Sequence, residues 1–136
     1  MTQQRISAII TILFFFVWLA ILYAGADHPP PKGFALVVLL DLVAALVVFW
    51  RVPHYLDWMQ TGTSYRLLSV VRDGLVAGVA LALLAVLAKP VLRSGEPAVT
   101  PTIGAMVIWF AVLAGVGVAN ALMIYYTSAL MAKVTV

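Results

Sequence analysis

Hydrophobic positions along this chain fall into four long runs, separated by short segments rich in polar residues, proline and glycine. A helix that crosses the hydrocarbon core of a bilayer needs about 20 predominantly apolar residues. The pattern therefore predicts four transmembrane helices, over residues 6–23, 34–50, 67–88 and 103–126. We expect an all-α integral membrane protein folded as one compact four-transmembrane-helix bundle, a single membrane domain covering residues 1–136.

The segments between the runs carry signals for helix ends. Three consecutive prolines, Pro29 to Pro31, follow the first run, and proline cannot continue a helix. The second run closes on Trp50 and Arg51, an aromatic residue and a cation of the kind that anchors helices at the membrane interface. Residues 89–101 include three prolines and a glycine, so we expect a loop there.

The first run also has features of a secretory signal peptide. Arg5 gives a basic start, and Ala24, Gly25 and Ala26 would form a cleavage triplet. The apolar stretch is longer, however, than the usual signal core of about 7–15 residues. We therefore expect a helix that is retained in the protein.

Composition supports the membrane assignment, and charge sets the expected orientation. The chain is 65% hydrophobic and 10% charged, whereas soluble domains carry about a quarter charged residues. Positive charges favour cytoplasmic loops. An inward amino terminus places five cations inside and three outside, which predicts both termini in the cytoplasm, with the inverted arrangement as the alternative. The inner set is Arg5, Arg51, Arg66, Arg72 and Lys133, and the outer set is Lys32, Lys89 and Arg93. We expect a multi-pass protein of a bacterial or archaeal cell membrane.

The sequence lacks the residues that several classes of function require. There is no cysteine, and the two histidines, His28 and His54, lie in connecting segments, so neither a thiolate site nor a haem held inside the bundle is expected. Phosphate-binding glycine loops, HExxH and nucleophile elbows are also missing from the sequence. The net charge of +3 is small and scattered, unlike a nucleic-acid footprint. We expect no enzyme activity, no cofactor, no metal and no nucleic-acid partner.

Asp41 stands alone in the middle of the second run. A central aspartate costs roughly 2.5–3.5 kcal/mol on insertion, while each central Leu, Ile, Val or Phe returns about 0.3–0.6 kcal/mol. The run therefore still inserts, and an ionisable residue at that depth marks a functional-site hypothesis. Ala44, Ala45 and Val48 share its helical face, so we expect Asp41 to point along a seam between helices.

Two readings of Asp41 remain open. Burial disfavours the charged form of a carboxyl group, which suits a proton carrier or a cation site. Alternatively, the group makes an interhelical hydrogen bond or meets a partner subunit. The indole N–H groups of Trp18 and Trp109, at similar depth, are candidate donors to it. Asn120 is a second deep polar residue, expected to hydrogen-bond between helices.

Two further residue sets suggest contacts. Small residues at a spacing of four predict close helix packing, either within one chain, which we favour, or between copies. These are Gly74, Gly78 and Ala82 in the third span, and Ala111, Gly115 and Ala119 in the fourth. Arginines near the membrane surface usually act as anchors, and a pocket for an anionic lipid head group is the sharper alternative. They are Arg51, Arg66 and Arg72.

The pattern favours a subunit or accessory component of a homo-oligomeric or larger membrane complex, whose partners are the lipid bilayer and other membrane subunits. The alternative is a homo-oligomeric transporter or channel that uses Asp41 as a proton or cation site. In size and span number the chain is similar to small multidrug transporters. Those proteins carry their membrane acid in the first span, where this chain has none, so no family is assigned.

Overall fold

A computed structural model of the chain describes residues 2–30, 32–62, 66–92 and 102–134. These residues form four α-helices: α1 (Gln3–Gly25), α2 (Phe34–Thr61), α3 (Arg66–Leu92) and α4 (Ile103–Val134). Each helix is long and apolar enough to cross a membrane. Within the described residues, the predicted all-helical architecture with four long apolar helices is confirmed.

Two helices run well beyond the predicted spans. α2 continues past Trp50 to Thr61, and α4 continues past Tyr126 to Val134. The predictions followed the apolar stretch, but backbone hydrogen bonds also support a helix through more polar residues outside it. α2 ends where Gly62 adopts a positive φ of 66°, a left-handed conformation that glycine accepts without steric cost.

Threonines cap the starts of two helices. The Thr2 hydroxyl accepts from the backbone N–H of Arg5 at 3.3 Å, at the start of α1. The Thr102 hydroxyl accepts from the N–H of Ala105 at 3.1 Å, at the start of α4. Each cap satisfies one of the N–H groups that a helix leaves without an internal partner.

The chain divides into two packed units. The first, the hairpin unit, comprises the described residues of 1–64 and 124–136: α1, α2 and the last part of α4. In it, α1 and α2 are antiparallel: the Gln3 amide donates to Asp57 at 2.7 Å, and at the other end the Tyr23 and Phe34 rings lie 6.1 Å apart. Its buried core consists of Ile6, Ile10, Val48, Val52 and Leu56.

The second unit, the glycine unit, comprises the described residues of 65–123: α3 and most of α4. Here the two helix backbones touch. A Cβ atom added to Gly74 would lie 2.6 Å from Val118 Cα, and one added to Gly117 would lie 2.9 Å from Gly78 Cα. Lipid gives apolar helices no hydrophobic reason to associate, so close backbone packing is the means by which such a pair is stabilised.

Candidate functional site: a buried carboxyl in the hairpin unit

Asp41 lies about two turns into α2 and is buried. Only 6% of its surface is exposed, and Ala45 and Val48 on the same helical face are also buried. The i, i+4, i+7 spacing places these three residues along one stripe of α2. The carboxyl group therefore lies inside the folded chain and not on its outer surface.

Two side-chain oxygens of the hairpin unit are buried without a hydrogen bond. Among the described residues, Oδ2 of Asp41 and Oγ1 of Thr11 have no hydrogen-bond partner. Leaving a buried polar group unpaired costs about 1–3 kcal/mol, and more for a charged group. Such atoms are rare in native proteins, and each requires an explanation.

A third polar group of the hairpin unit is paired, and proline explains its partner. Pro53 lies inside α2, and because proline has no N–H it cannot donate to the carbonyl of Phe49 four residues earlier. The hydroxyl of Ser7, on α1, donates to that Phe49 oxygen at 2.6 Å. Ser7 is fully buried. Within membrane helices, freed carbonyls are satisfied in this way by neighbouring Ser and Thr side chains.

The three groups follow one another along the hairpin. Measured from the Ser7–Phe49 contact, Thr11 is about 6 Å further along α1 and Asp41 is about 12 Å further along α2, at 1.5 Å per residue. Because the helices are antiparallel, both displacements run in the same direction. We call Ser7, Thr11 and Asp41 the polar seam. It runs from the end marked by Gln3 and Asp57 towards the middle of the helices.

The cations of α1 and α2, Arg5 and Arg51, lie outside the apolar stretches that surround Asp41. Residues 6–26 contain no lysine or arginine, and the only charged residue of 34–50 is Asp41. Arg51 is ten positions away, about 15 Å along the helix axis. Its guanidinium carbon lies 5.3, 5.7 and 5.2 Å from the ring centroids of Trp50, Tyr55 and Trp58. Neither α1 nor α2 therefore brings a counter-charge to the depth of Asp41.

The other predicted polar residues lie as follows. Trp18 is half-buried on α1. The indole N–H of Trp109 donates to the Ala82 carbonyl of α3 at 3.4 Å, so this donor is used inside the glycine unit. The amide of Asn120 donates to the Val116 carbonyl one turn back on α4, at 2.8 Å. The predicted donation from Trp109 to the carboxyl group is thus replaced by a contact between α3 and α4.

The predicted packing stripes are divided between two surfaces. Gly74, Gly78 and Ala82 are buried on α3, but α4 contacts the two glycines through Leu113, Ala114, Gly117 and Val118. Ala111, Gly115 and Ala119 lie instead on an exposed face. A Cβ atom added at Gly115 would meet nothing within 4 Å. We call these three residues the open face of α4.

The three predicted arginines are divided between the two units. Arg51 belongs to the hairpin unit, while Arg66 and Arg72 belong to α3. Arg72 is exposed and lies 3.8 Å from the Asp73 carboxylate. Contact with an anionic lipid stays a prediction. Within the described residues, no group of three or more His, Asp or Glu side chains is placed to hold a metal ion.

Comparison of the chain with protein-family models, curated proteins and solved structures finds no match. Function is therefore inferred from the polar seam of the hairpin unit and from the open face of α4. The polar seam could have been found in part from sequence. A proline inside an apolar run frees the carbonyl four residues earlier, and Ser7 and Thr11 are the hydroxyl residues of the adjacent run.

Proposed function

We propose that this protein is a small multi-pass transporter or channel that moves protons or small cations, and that its ion-binding group is the Asp41 carboxyl. The observation that carries the proposal is a carboxyl 6% exposed, with Oδ2 unpaired among the described residues, in a helix apolar enough to cross a membrane. A buried carboxyl without a counter-charge is expensive. Binding a proton or a cation removes that cost.

Burial also favours this role over a contact with another subunit. A residue that meets a partner's side chain lies at the surface of its own chain, whereas Asp41 is covered by its own chain. The proposal includes a homo-oligomer with both termini in the cytoplasm, because four helices enclose little space for a path. The open face of α4 suits such an assembly, since small residues let a second helix approach closely.

A second candidate function follows from that open face. In it, the protein is an accessory subunit of a larger membrane complex, and Asp41 contributes only to packing. Gly115 supports this candidate because its surface is unoccupied and accessible to another helix. Crosslinking in native membranes separates the two functions, since an accessory subunit is captured with a different protein, whereas a homo-oligomeric transporter is captured with itself.

Proton or cation flux in liposomes tests the leading proposal. Purified protein is reconstituted with a pH-sensitive dye inside, and flux is driven by a potassium gradient with valinomycin. We expect flux in the wild type and a loss of about tenfold or more in Asp41→Asn, which keeps the shape but cannot bind a proton. Asp27→Asn, in the connector after α1, makes the same chemical change outside the helices and should keep full flux.

Two results would count against the proposal. The first is a wild-type protein whose vesicles carry no more protons or cations than empty ones under every gradient, and the second is an Asp41→Asn variant that transports as well as the wild type. The first result favours the accessory-subunit function, and the second shows that the Asp41 carboxyl is not the ion-binding group.

A further inference from the structure

The hairpin unit contains more than a single acid, because hydroxyl groups lie between Asp41 and one end of the helices. We infer that the polar seam is the route by which a proton reaches Asp41, with Ser7 as its first buried group and the Thr11 hydroxyl as the relay between Ser7 and the carboxyl. The inference rests on the proposed function and adds the ion and its path. It assigns a role to the second unpaired oxygen, Thr11 Oγ1.

The spacing of the seam suits hydrogen-bonded relay through water. Successive members are separated by about 6 Å along the helix axes, at 1.5 Å rise per residue. Two O–H···O hydrogen bonds of about 2.8 Å each, joined by one water molecule, span nearly that distance. Bridging water would also satisfy Thr11 Oγ1 and Asp41 Oδ2, which is the usual role of water buried in proteins.

The relay step conserves every group except the final acceptor. A protonated water on the Ser7 side gives a proton to Thr11 Oγ1, which passes its own proton to the water on the Asp41 side, and that water gives one of its protons to Asp41 Oδ2. The hydroxyl is restored, and the carboxylate becomes a neutral carboxylic acid. Ser7 positions the first water: its own proton is donated to the Phe49 carbonyl, which Pro53 leaves free, so its oxygen can only accept a hydrogen bond from that water.

The number of oxygens favours a proton over a metal cation. A dehydrated metal ion needs several oxygens at once to replace its hydration shell. Among the described residues, the hairpin unit offers two unpaired buried side-chain oxygens, about one helical turn apart in depth. A proton needs one carboxyl oxygen, and it neutralises the charge that makes burial expensive.

Charged and titratable groups of the packed elements do not compete with Asp41 for this role. On α1, the nearest ones are Arg5 and Tyr23, close to the helix ends. Residues 34–50 of α2 contain no other titratable residue, and those that follow on α2 are at least ten positions from Asp41: Arg51, His54, Tyr55 and Asp57. The described residues 124–134 of α4 contribute Tyr125, Tyr126 and Lys133. The Tyr125 ring packs on Tyr55 at 5.9 Å, beyond the Ser7 end of the seam, and Lys133 is in the last turn of α4.

Three threonine variants of the full chain test the route with Asp41 intact. Thr11→Val replaces the hydroxyl with a methyl group of nearly the same size, and we expect proton flux in liposomes to fall about tenfold or more. Thr11→Ser restores the hydroxyl and should restore flux to within about twofold of the wild type. Thr127→Val makes the same change at an exposed position of α4 and should leave flux unchanged.

A second readout follows proton binding itself. Infrared difference spectra of the reconstituted protein, recorded between low and high pH, should contain a carboxylic-acid C=O band that Asp41→Asn removes. Thr11→Val should keep this band and slow its appearance after a pH jump. A variant that had merely misfolded would also lose helix content by circular dichroism, which separates damage to the fold from loss of the relay.

Each combination of results is decisive. If Asp41→Asn loses flux and Thr11→Val keeps it, the acid is functional and the seam is not its route. If sodium dilution drives flux and pH gradients do not, the ion is sodium and the inference of a proton fails. If Asp41→Asn keeps both flux and the infrared band, the proposed function fails together with the route.

Discussion

The two units of this protein hold their helices together by opposite means. In the hairpin unit, side chains connect α1 to α2: a serine hydroxyl on a carbonyl, a glutamine amide on a carboxylate, and a pair of aromatic rings. In the glycine unit, α3 and α4 meet backbone to backbone, because Gly74, Gly78 and Gly117 have no side chains to keep them apart.

This difference bears on where function can reside. Backbone contact leaves no space between helices, so the interface between α3 and α4 is suited to holding these two helices in a fixed geometry. In the hairpin unit, side chains separate α1 from α2, and two buried oxygens, on Thr11 and Asp41, have no hydrogen-bond partner among the described residues. The chain thus combines a tightly packed pair of helices with a pair that has buried polar atoms without hydrogen bonds.

The largest effect on stability is expected from adding a side chain at the glycine contact between α3 and α4. Gly78→Val would place a Cβ atom 2.8 Å from Ala114 Cα and against the Leu113 carbonyl. Since the obstacle is backbone, the helices must separate, and we expect a loss of about 3 kcal/mol in the free energy of unfolding, the upper part of the range for overpacking. Denaturant titration in micelles, followed by circular dichroism, measures it.

Gly115→Val is the matched control, because nothing lies within 4 Å of that position. It should unfold like the wild type. Equal losses in the two variants would contradict the assignment of α4 faces. Selective loss of oligomer in Gly115→Val, without loss of stability, would identify the open face as a contact between copies.

An intermediate effect is expected in the hairpin unit. Ser7→Ala removes the donor to Phe49 and should cost about 0.6–1.7 kcal/mol, the range measured for hydrogen bonds between membrane helices. Thr11→Val removes an unpaired hydroxyl and should cost little or nothing in the same titration, even though it blocks the proposed route.

A substitution at Pro53 tests the origin of the Ser7 effect. Pro53→Ala restores an N–H that can donate to Phe49, so Ser7→Ala should cost less in the Pro53→Ala background than in the wild type. A double-mutant cycle measures this coupling. Additive effects would mean that Ser7 stabilises the hairpin by some means other than the carbonyl that Pro53 leaves free.

The smallest effect is expected at the hydrogen bond that the Trp109 side chain makes from α4 to α3. The Trp109 indole donates to Ala82 across 3.4 Å, a long separation for such a bond. Trp109→Phe should therefore reduce the free energy of unfolding by no more than about 0.6 kcal/mol. A loss comparable to that of Gly78→Val would mean that the glycine unit depends on side chains as much as the hairpin unit does.

The helices and the buried face of α2 were accessible from sequence. Membrane thickness dictates runs of about 20 apolar residues, and helical periodicity placed Asp41 with Ala45 and Val48. The ends of α2 and α4 could not be predicted in this way, because hydropathy reports the apolar stretch and not where backbone hydrogen bonding stops. Gly62 was the local signal for the end of α2.

Contacts between helices depended on rotation and register, which a single sequence does not fix. α4 carries small residues around much of its circumference, so the stripe through Gly115 and the face through Gly117 were equally compatible with its pattern. The partner of Ser7 likewise depended on which residue of α2 lies opposite. Pro53 limited that choice by freeing the Phe49 carbonyl, a constraint that periodicity alone does not contain.

The packing of the Arg51 guanidinium against three aromatic rings also bears on the depth of Asp41 in a bilayer. Arginine and tryptophan side chains prefer the boundary between lipid and water, so in a bilayer this group would anchor α2 at one leaflet. Asp41, about 15 Å away along the axis, is then held near the midplane of a hydrocarbon layer about 30 Å thick. In a thicker bilayer the carboxyl keeps its distance from the anchored leaflet, and only the opposite half of the crossing lengthens.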